Sequence, residues 1–220
     1  MTTLNTQACS AVVARLFAEA DASEAALEQQ RDAMSPQELA RLMGSADEYR
    51  SLYGRLKDFH LAVSRDTAKL LYMLARSCRA TAIVEFGTSF GVSTLHLAAA
   101  LRDNGGGQLI STEFEPTKVA QASANLAAAS LDDLVEIRSG DAIETLKKGL
   151  PDRIDFVLLD GAKGLYPKIL SLLESRLRPG ALVVADNADW SPEYLARVRA
   201  PAGGYLSVPF VGDVELSLRL

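Results

Sequence analysis

Four short stretches of this chain place chemistry-bearing side chains where an apolar run stops. In IDFVLLDGAKGLY the run Phe156-Val157-Leu158-Leu159 ends on Asp160, and Lys163 follows three residues later. In ALVVADNADW the run ends on Asp186 and Asn187. In TAIVEFGTSFGVST it closes at Glu85 before a glycine turn, Gly87 to Gly91, and GQLISTEFEP carries Glu113 at its tip. Uninterrupted apolar runs of this length read as strands buried on both faces, and their C-terminal tips are where open α/β sheets collect ligands. Each stretch has a plainer alternative. Asp160 can cap a helix with Lys163 a solvated charge, Glu113 can be an ordinary helix-start acid, and Asp186-Asn187 can be a turn.

The combination argues for a site. Neighbouring strand tips lie close in space, so Asp160, Asp186 and Asn187 are expected to converge. Two carboxylates and an amide oxygen are hard donors suited to a divalent cation, magnesium first and calcium or manganese next, with positions left for water and substrate. Without a cation the two carboxylates repel each other. Beside such a dication, burial is expected to push the Lys163 pKa down. The glycine loop reads G-x-x-x-G, where a dinucleotide loop reads G-x-G-x-x-G. An acid two positions before the first glycine repels a diphosphate and pairs with an ammonium. Glu113 is placed to hold ribose hydroxyls.

The elements that must position these residues follow from periodicity. Helical spacing over 9–34 and 36–57 and a third helix over 64–78 precede five short strands alternating with helices. The strands are TAIVEF, GQLIST, LVEIRS, IDFVLL and ALVVAD, with helices in GVSTLHLAAALRD, EPTKVAQASANLAAAS, AIETLKKGL and YPKILSLLESRL, the last followed by Arg178-Pro179-Gly180. YLSVPF and VELSLRL, separated by Val211-Gly212-Asp213, read as an antiparallel hairpin. The expected fold is Rossmann-like α/β: one doubly wound, mostly parallel seven-stranded sheet with that hairpin at its edge. One domain is expected over 1–220, with a helical extension over 1–62 and a core over 63–220. The extension carries Leu16, Phe17, Leu39, Leu42 and Tyr53, which need cover. It is expected to roof the ligand site and to build a homodimer.

Bulk properties remove other classes. A formal charge of -5 over 220 residues, with a pI near 5.2, argues against an electrostatic grip on nucleic acid or anionic lipid. Cys9 and Cys78 lack metal-site spacing, and His60 and His96 are too few for a histidine-rich zinc site. His96 falls in an apolar helix and reads as a core residue. Neither a signal peptide nor a membrane span is evident, so the cytoplasm is the expected compartment.

Taken in order, VEFGTSFGVST, STEFEP, SGDA, LLDGAKGLY, LRPGALVVADNADW and the closing hairpin resemble the class I S-adenosylmethionine-dependent O-methyltransferases of the metal-dependent catechol and caffeoyl-CoA type. The resemblance runs from about Val63 to the end. It implies that Glu85 binds the cofactor's α-amino group, that backbone at Val63 and Gly87 lines its methionine part, and that Ser93 meets its carboxylate. Glu113 takes both ribose hydroxyls, and Asp141 and Ala142 border the adenine. Asp160, also beside the cofactor, joins Asp186 and Asn187 as metal ligands. Lys163 is the catalytic lysine facing the acceptor, a small molecule with a hydroxyl. Trp190 is expected as an aromatic gate over it. Two departures stand out: Gly161-Ala162 replace bulkier residues before the lysine, which implies a wider acceptor site, and Ser207 stands where catechol enzymes carry a hairpin acid. A dehydrogenase has the wrong loop, and a base-modifying N-methyltransferase lacks its Asp/Asn-Pro-Pro-aromatic signature here. An RNA or secondary-metabolite hydroxyl as acceptor, and a non-catalytic cofactor-binding protein, remain as alternatives.

Overall fold

A computed structural model describes residues 2–210 and 212–220. Seven strands form one sheet in the order β3-β2-β1-β4-β5-β7-β6. They are β1 (Ala82–Phe86), β2 (Gln108–Glu113), β3 (Val135–Ser139), β4 (Ile154–Leu159), β5 (Leu177–Ala185), β6 (Tyr205–Phe210) and β7 (Val214–Arg219). The first five pair in parallel, and β7 lies antiparallel to both β5 and β6. This matches the expected fold, hairpin included. Of the expected turn, Val211 lies outside the described residues, while Gly212 takes a positive φ of 70°. Strand order reverses between β1 and β4, the switch point where such sheets open a crevice.

Register levels the tips that matter. Phe86 pairs with Leu159 and Leu159 with Ala185, so Asp160 N–H donates to Phe86 O at 2.8 Å and Asp186 N–H to Leu159 O at 2.9 Å. Gly87 follows at φ 105°, and a Cβ there would lie 2.7 Å from the Asp160 carbonyl carbon. Only glycine lets these two backbones meet.

Helices α1 (Gln7–Asp32), α4 (Arg65–Ser77), α5 (Val92–Asp103) and α6 (Pro116–Ala128) are the longest around the sheet. Cys9, Val12, Leu16 and Phe17 of α1 share one apolar cluster with Leu71 of α4, Leu95 of α5 and Phe156 of β4. His96 is buried with Nδ1 2.8 Å from Val92 O, as a core histidine should be. Leu16, Phe17 and Leu42 are buried within the chain itself, and Leu39 and Tyr53 face an internal cavity. Their burial does not require a second copy.

Three local expectations are corrected. The helix expected over 36–57 breaks into α2 (Pro36–Gly44) and α3 (Tyr49–Arg55). Ser45 Oγ accepts from the N–H groups of Asp47 and Glu48, which competes with helix continuation. The break also seats the turn on Gly164, whose added Cβ would lie 2.4 Å from Gly44 O. The helix expected over 142–150 stops early, as α7 (Ala142–Thr145), with the Arg138 guanidinium taking the Thr145, Lys148 and Gly149 carbonyls at 2.7–2.9 Å. The fifth strand, expected over 181–186, begins at Leu177 and takes in Arg178-Pro179-Gly180, where the β4 register shifts and Arg178 Nε donates to Asp155 at 2.5 Å. The remaining helices are α8 (Tyr166–Leu173) and α9 (Pro192–Arg199).

Because Leu16 is fully buried against the strands' own cluster, Leu16→Ala is expected to cost about 2–5 kcal/mol. Urea unfolding followed by far-UV circular dichroism and tryptophan fluorescence should shift as one transition. A separate early transition for the helical segment would contradict the shared core.

Candidate active site

A cavity of about 700 Å³ opens over the strand tips. Its floor holds Gly87, Glu113, Asp160, Lys163, Asp186 and Asn187, and its roof combines Leu27 of α1, Leu39 and Met43 of α2, and Leu52 and Tyr53 of α3 with the charged Asp21, Glu24, Glu28 and Arg31 of α1. Leu39 and Tyr53 were among the extension residues expected to need cover, whereas Leu27, Met43 and Leu52 were not singled out. Phe86 lines the cavity as well, and its ring lies 2.6 Å from where a Gly161 Cβ would stand. The space freed by Gly161 is thus filled by Phe86, which corrects the expected widening.

Charge is concentrated on the floor. Lys163 is 3% exposed and donates to Asp160 Oδ1 at 3.0 Å and to Tyr166 Oη at 2.9 Å, while Tyr166 donates to Asp186 O at 2.8 Å. Burial draws the lysine pKa down, but the Tyr166 hydroxyl and Asp160 outweigh that and hold it well above its ordinary value. The expected fall is therefore not a property of the protein's own groups; they keep Lys163 charged. Burial raises Asp160 despite Lys163, and burial followed by Asp160 pushes Asp186 up to about 7. Asn187, at a left-handed φ of 48°, donates Nδ2–H to Asp213 Oδ2 at 2.6 Å, leaving its Oδ1 without a protein partner among the described residues.

Asp213, from the β6–β7 turn, lines the same cavity and was missed as a site residue. Ser207, at the position compared with the hairpin acid, instead donates to Glu215 Oε1 at 2.6 Å on the sheet edge. The hairpin thus does present an acid to the cavity, from its turn.

Glu85 is fully buried beneath the glycine loop and lines no part of the cavity. Ser93 and Ser111 donate to it at 2.5 Å and Thr94 at 2.7 Å. Burial pushes its pKa up to about 7 against those three hydroxyls. A small recess above it is lined by Val63, Gly87, Ser93 and Asp160. Glu113 accepts from Ser89 N–H at 2.8 Å and Glu115 N–H at 3.0 Å and still faces the cavity. Ala142 lines the cavity, whereas Asp141 caps α7 and pairs with Arg50 at 2.7 Å. Trp190 is half-buried near α2 and lies off the cavity wall, so the aromatic side of the chamber is Tyr49, Tyr53 and Phe86, not the expected gate.

Residues 84–188 match the family model described as a methyltransferase domain. A catechol O-methyltransferase of Niastella koreensis is 37% identical over 130 residues, 58% of this chain and 58% of that protein. A catechol O-methyltransferase of Mycobacterium tuberculosis is 32% identical over 58% of this chain and 57% of its own length. The chain spans somewhat more than half the length of these curated relatives. The solved O-methyltransferase TomG of Streptomyces achromogenes, in complex with S-adenosylmethionine, superimposes at a TM-score of 0.64 with 29% identity, covering 82% of this chain and 93% of that one. In sequence and fold the chain is similar to the class I S-adenosylmethionine-dependent O-methyltransferases of the catechol and caffeoyl-CoA type. Glu85, the glycine turn and Glu113 all fall inside the matched region.

Glu85 yields a pH prediction. Its folded pKa near 7 lies above the unfolded value near 4.5, so between those limits the folded state binds the extra proton. Stability contributed by the protonated form is present at low pH and lost as pH rises through about 7. Glu85→Gln in the ligand-free protein should flatten the fall in Tm between pH 5 and 8 measured by calorimetry, and should weaken cofactor binding at least tenfold.

Proposed function

We propose that this chain transfers a methyl group from S-adenosylmethionine to a hydroxyl of a small aromatic vicinal diol, with a divalent cation, magnesium first, at Asp160, Asp186 and Asn187. One observation carries the reading. Asp160, Lys163, Asp186 and Asn187 share a single cavity with Gly87 and Glu113, so the cofactor crevice and the acceptor chamber are one space.

The donor set fits a hard cation. Two buried carboxylates with raised pKa values confront each other, and the free Asn187 Oδ1 adds a neutral oxygen. Among the described residues no group of three or more His, Cys, Asp or Glu is arranged to hold a metal, so a cation here would rely on the amide as its third protein oxygen. When bound, a divalent cation would supply Lewis-acid chemistry, lowering the pKa of an acceptor hydroxyl and offsetting the Asp160 charge that otherwise keeps the proton on Lys163. Lys163, fixed by Tyr166, would take the proton of the reacting hydroxyl once its own has been released to solvent. Asp213 receives the second hydroxyl at the cavity rim. The recess over Glu85 holds the methionine ammonium with Ser93 beside its carboxylate, Glu113 binds the ribose, and Ala142 borders the adenine. The apolar part of the roof excludes water and stacks the acceptor ring through Tyr53, whose hydroxyl donates to Gly161 O at 3.4 Å. In-line displacement at the sulfonium needs this fixed approach.

The proposal places the protein in the cytoplasm as one domain acting on a small molecule; no helix among the described residues is long and apolar enough to cross a membrane. It includes a homodimer, which light scattering would show.

Turnover on a catechol-like acceptor should vanish in EDTA and return with magnesium, while S-adenosylhomocysteine affinity changes little. Asp186→Ala should lower the rate by orders of magnitude, and Lys163→Ala by about 10²–10⁴ with metal binding kept. Full turnover in EDTA would overturn the metal assignment. In steady-state kinetics, Tyr53→Ala should raise the acceptor KM about tenfold and leave the cofactor KM within twofold. An unchanged acceptor KM would remove the roof from acceptor recognition.

A further inference from the structure

A buried cation on the cavity wall has no role in the account above. Lys118, in the first turn of α6, is 4% exposed and lines the cavity next to Ser89 and Glu113. Its Nζ lies 3.4 Å from Ser89 Oγ and 5.2 Å from the centre of the Phe90 ring. Among the described residues no carboxylate comes within ion-pair distance of it. An ammonium carries three N–H donors, and a long bond to a hydroxyl plus a ring face leaves donor capacity directed at no protein acceptor. Burying such a group without a firm partner is costly, so a position that keeps it points to a ligand. Burial lowers its pKa, while Glu113, Glu115 and Asp58 act to hold the proton on.

The neighbour defines the ligand's chemistry. Glu113 is tied on one side by the Ser89 and Glu115 N–H groups, and Ser89 bridges it to Lys118. An ionised carboxylate only accepts, so a vicinal diol bound there gives its two protons to Glu113. Each diol oxygen keeps lone pairs that the carboxylate cannot satisfy. A donor-only group beside it supplies the complement.

Resting on the methyltransferase reading, we propose that Lys118 is a further cofactor-binding residue, its Nζ donating to a ribose hydroxyl oxygen of the S-adenosylmethionine held at Glu113. The pair then reads the ribose as acceptor and donor together, which makes Lys118 a determinant of cofactor affinity and of selectivity for an intact ribose.

The test is calorimetric titration of S-adenosylhomocysteine and its 2′-deoxy and 3′-deoxy analogues into the wild-type protein and Lys118→Met. Wild type should bind S-adenosylhomocysteine, and Lys118→Met should weaken it about tenfold or more. One deoxy analogue should lose affinity with wild type but suffer little further loss with the variant, because the bond is already gone. Lys118→Gln, which keeps a donor, should recover part of the affinity, and it replaces the methionine variant if that one fails to fold by circular dichroism. Equal affinity of wild type and both variants, or fully additive losses with both analogues, would overturn the role of Lys118 and leave the methyltransferase reading standing. No S-adenosylhomocysteine binding by the wild-type protein would overturn both.

Discussion

The buried ion pair between Asp160 and Lys163 sets the terms for the structure around it. Two charges taken out of water lose more solvation than a single contact returns, so such a pair persists only when its other bonding capacity is met. Here Tyr166 takes a second lysine proton and is itself fixed on the Asp186 carbonyl, while the Asp160 N–H is tied to Phe86. That arrangement needs three strand tips at one level. It also needs backbone to approach at Gly87, Gly161 and Gly164, where any Cβ would meet other atoms at 2.4–2.7 Å. The pair thus explains why small residues surround the most polar point of the fold.

The roof follows from the same point. The α2–α3 break sits on Gly164, the residue after the lysine, so the loop that positions Lys163 also anchors the helical segment above it. Apolar side chains of that segment stand over the charged floor. They form an apolar cluster of their own, around Leu27, Leu42, Leu52 and Leu56, beside the clusters that pack the sheet.

Several groups are held against their own stability. Glu85 and Asp186 are pushed towards neutral pH by burial, and Lys118 is pulled the other way. Burial shifts each of them away from its ordinary charge state, Glu85 even with three hydroxyls donating to it. A fold that keeps such groups is less stable than it need be, the usual balance at functional sites.

Much of this was legible in the residues alone. Apolar runs ending on Asp160, Asp186-Asn187, Glu85 and Glu113 declare buried parallel strands with polar tips, because period and burial are local properties of sequence. The helix at 36–57, the helix at 142–150 and the start of the fifth strand at 181 were misread, since Ser45, Arg138 and Asp155 decide them through hydrogen bonds that no local pattern displays. Tertiary structure alone brought Asp213 to the cavity, moved Trp190 off it, placed Phe86 in the space beside Gly161 and left Lys118 without a carboxylate. It also set the pull of the protein's own groups on Lys163, where Tyr166 and Asp160 outweigh burial. Residue types and their spacing determined which chemistry was available at the strand tips. Distances across the fold decided which of those side chains face one another, because contact between residues far apart in the chain is set by packing and not by sequence order.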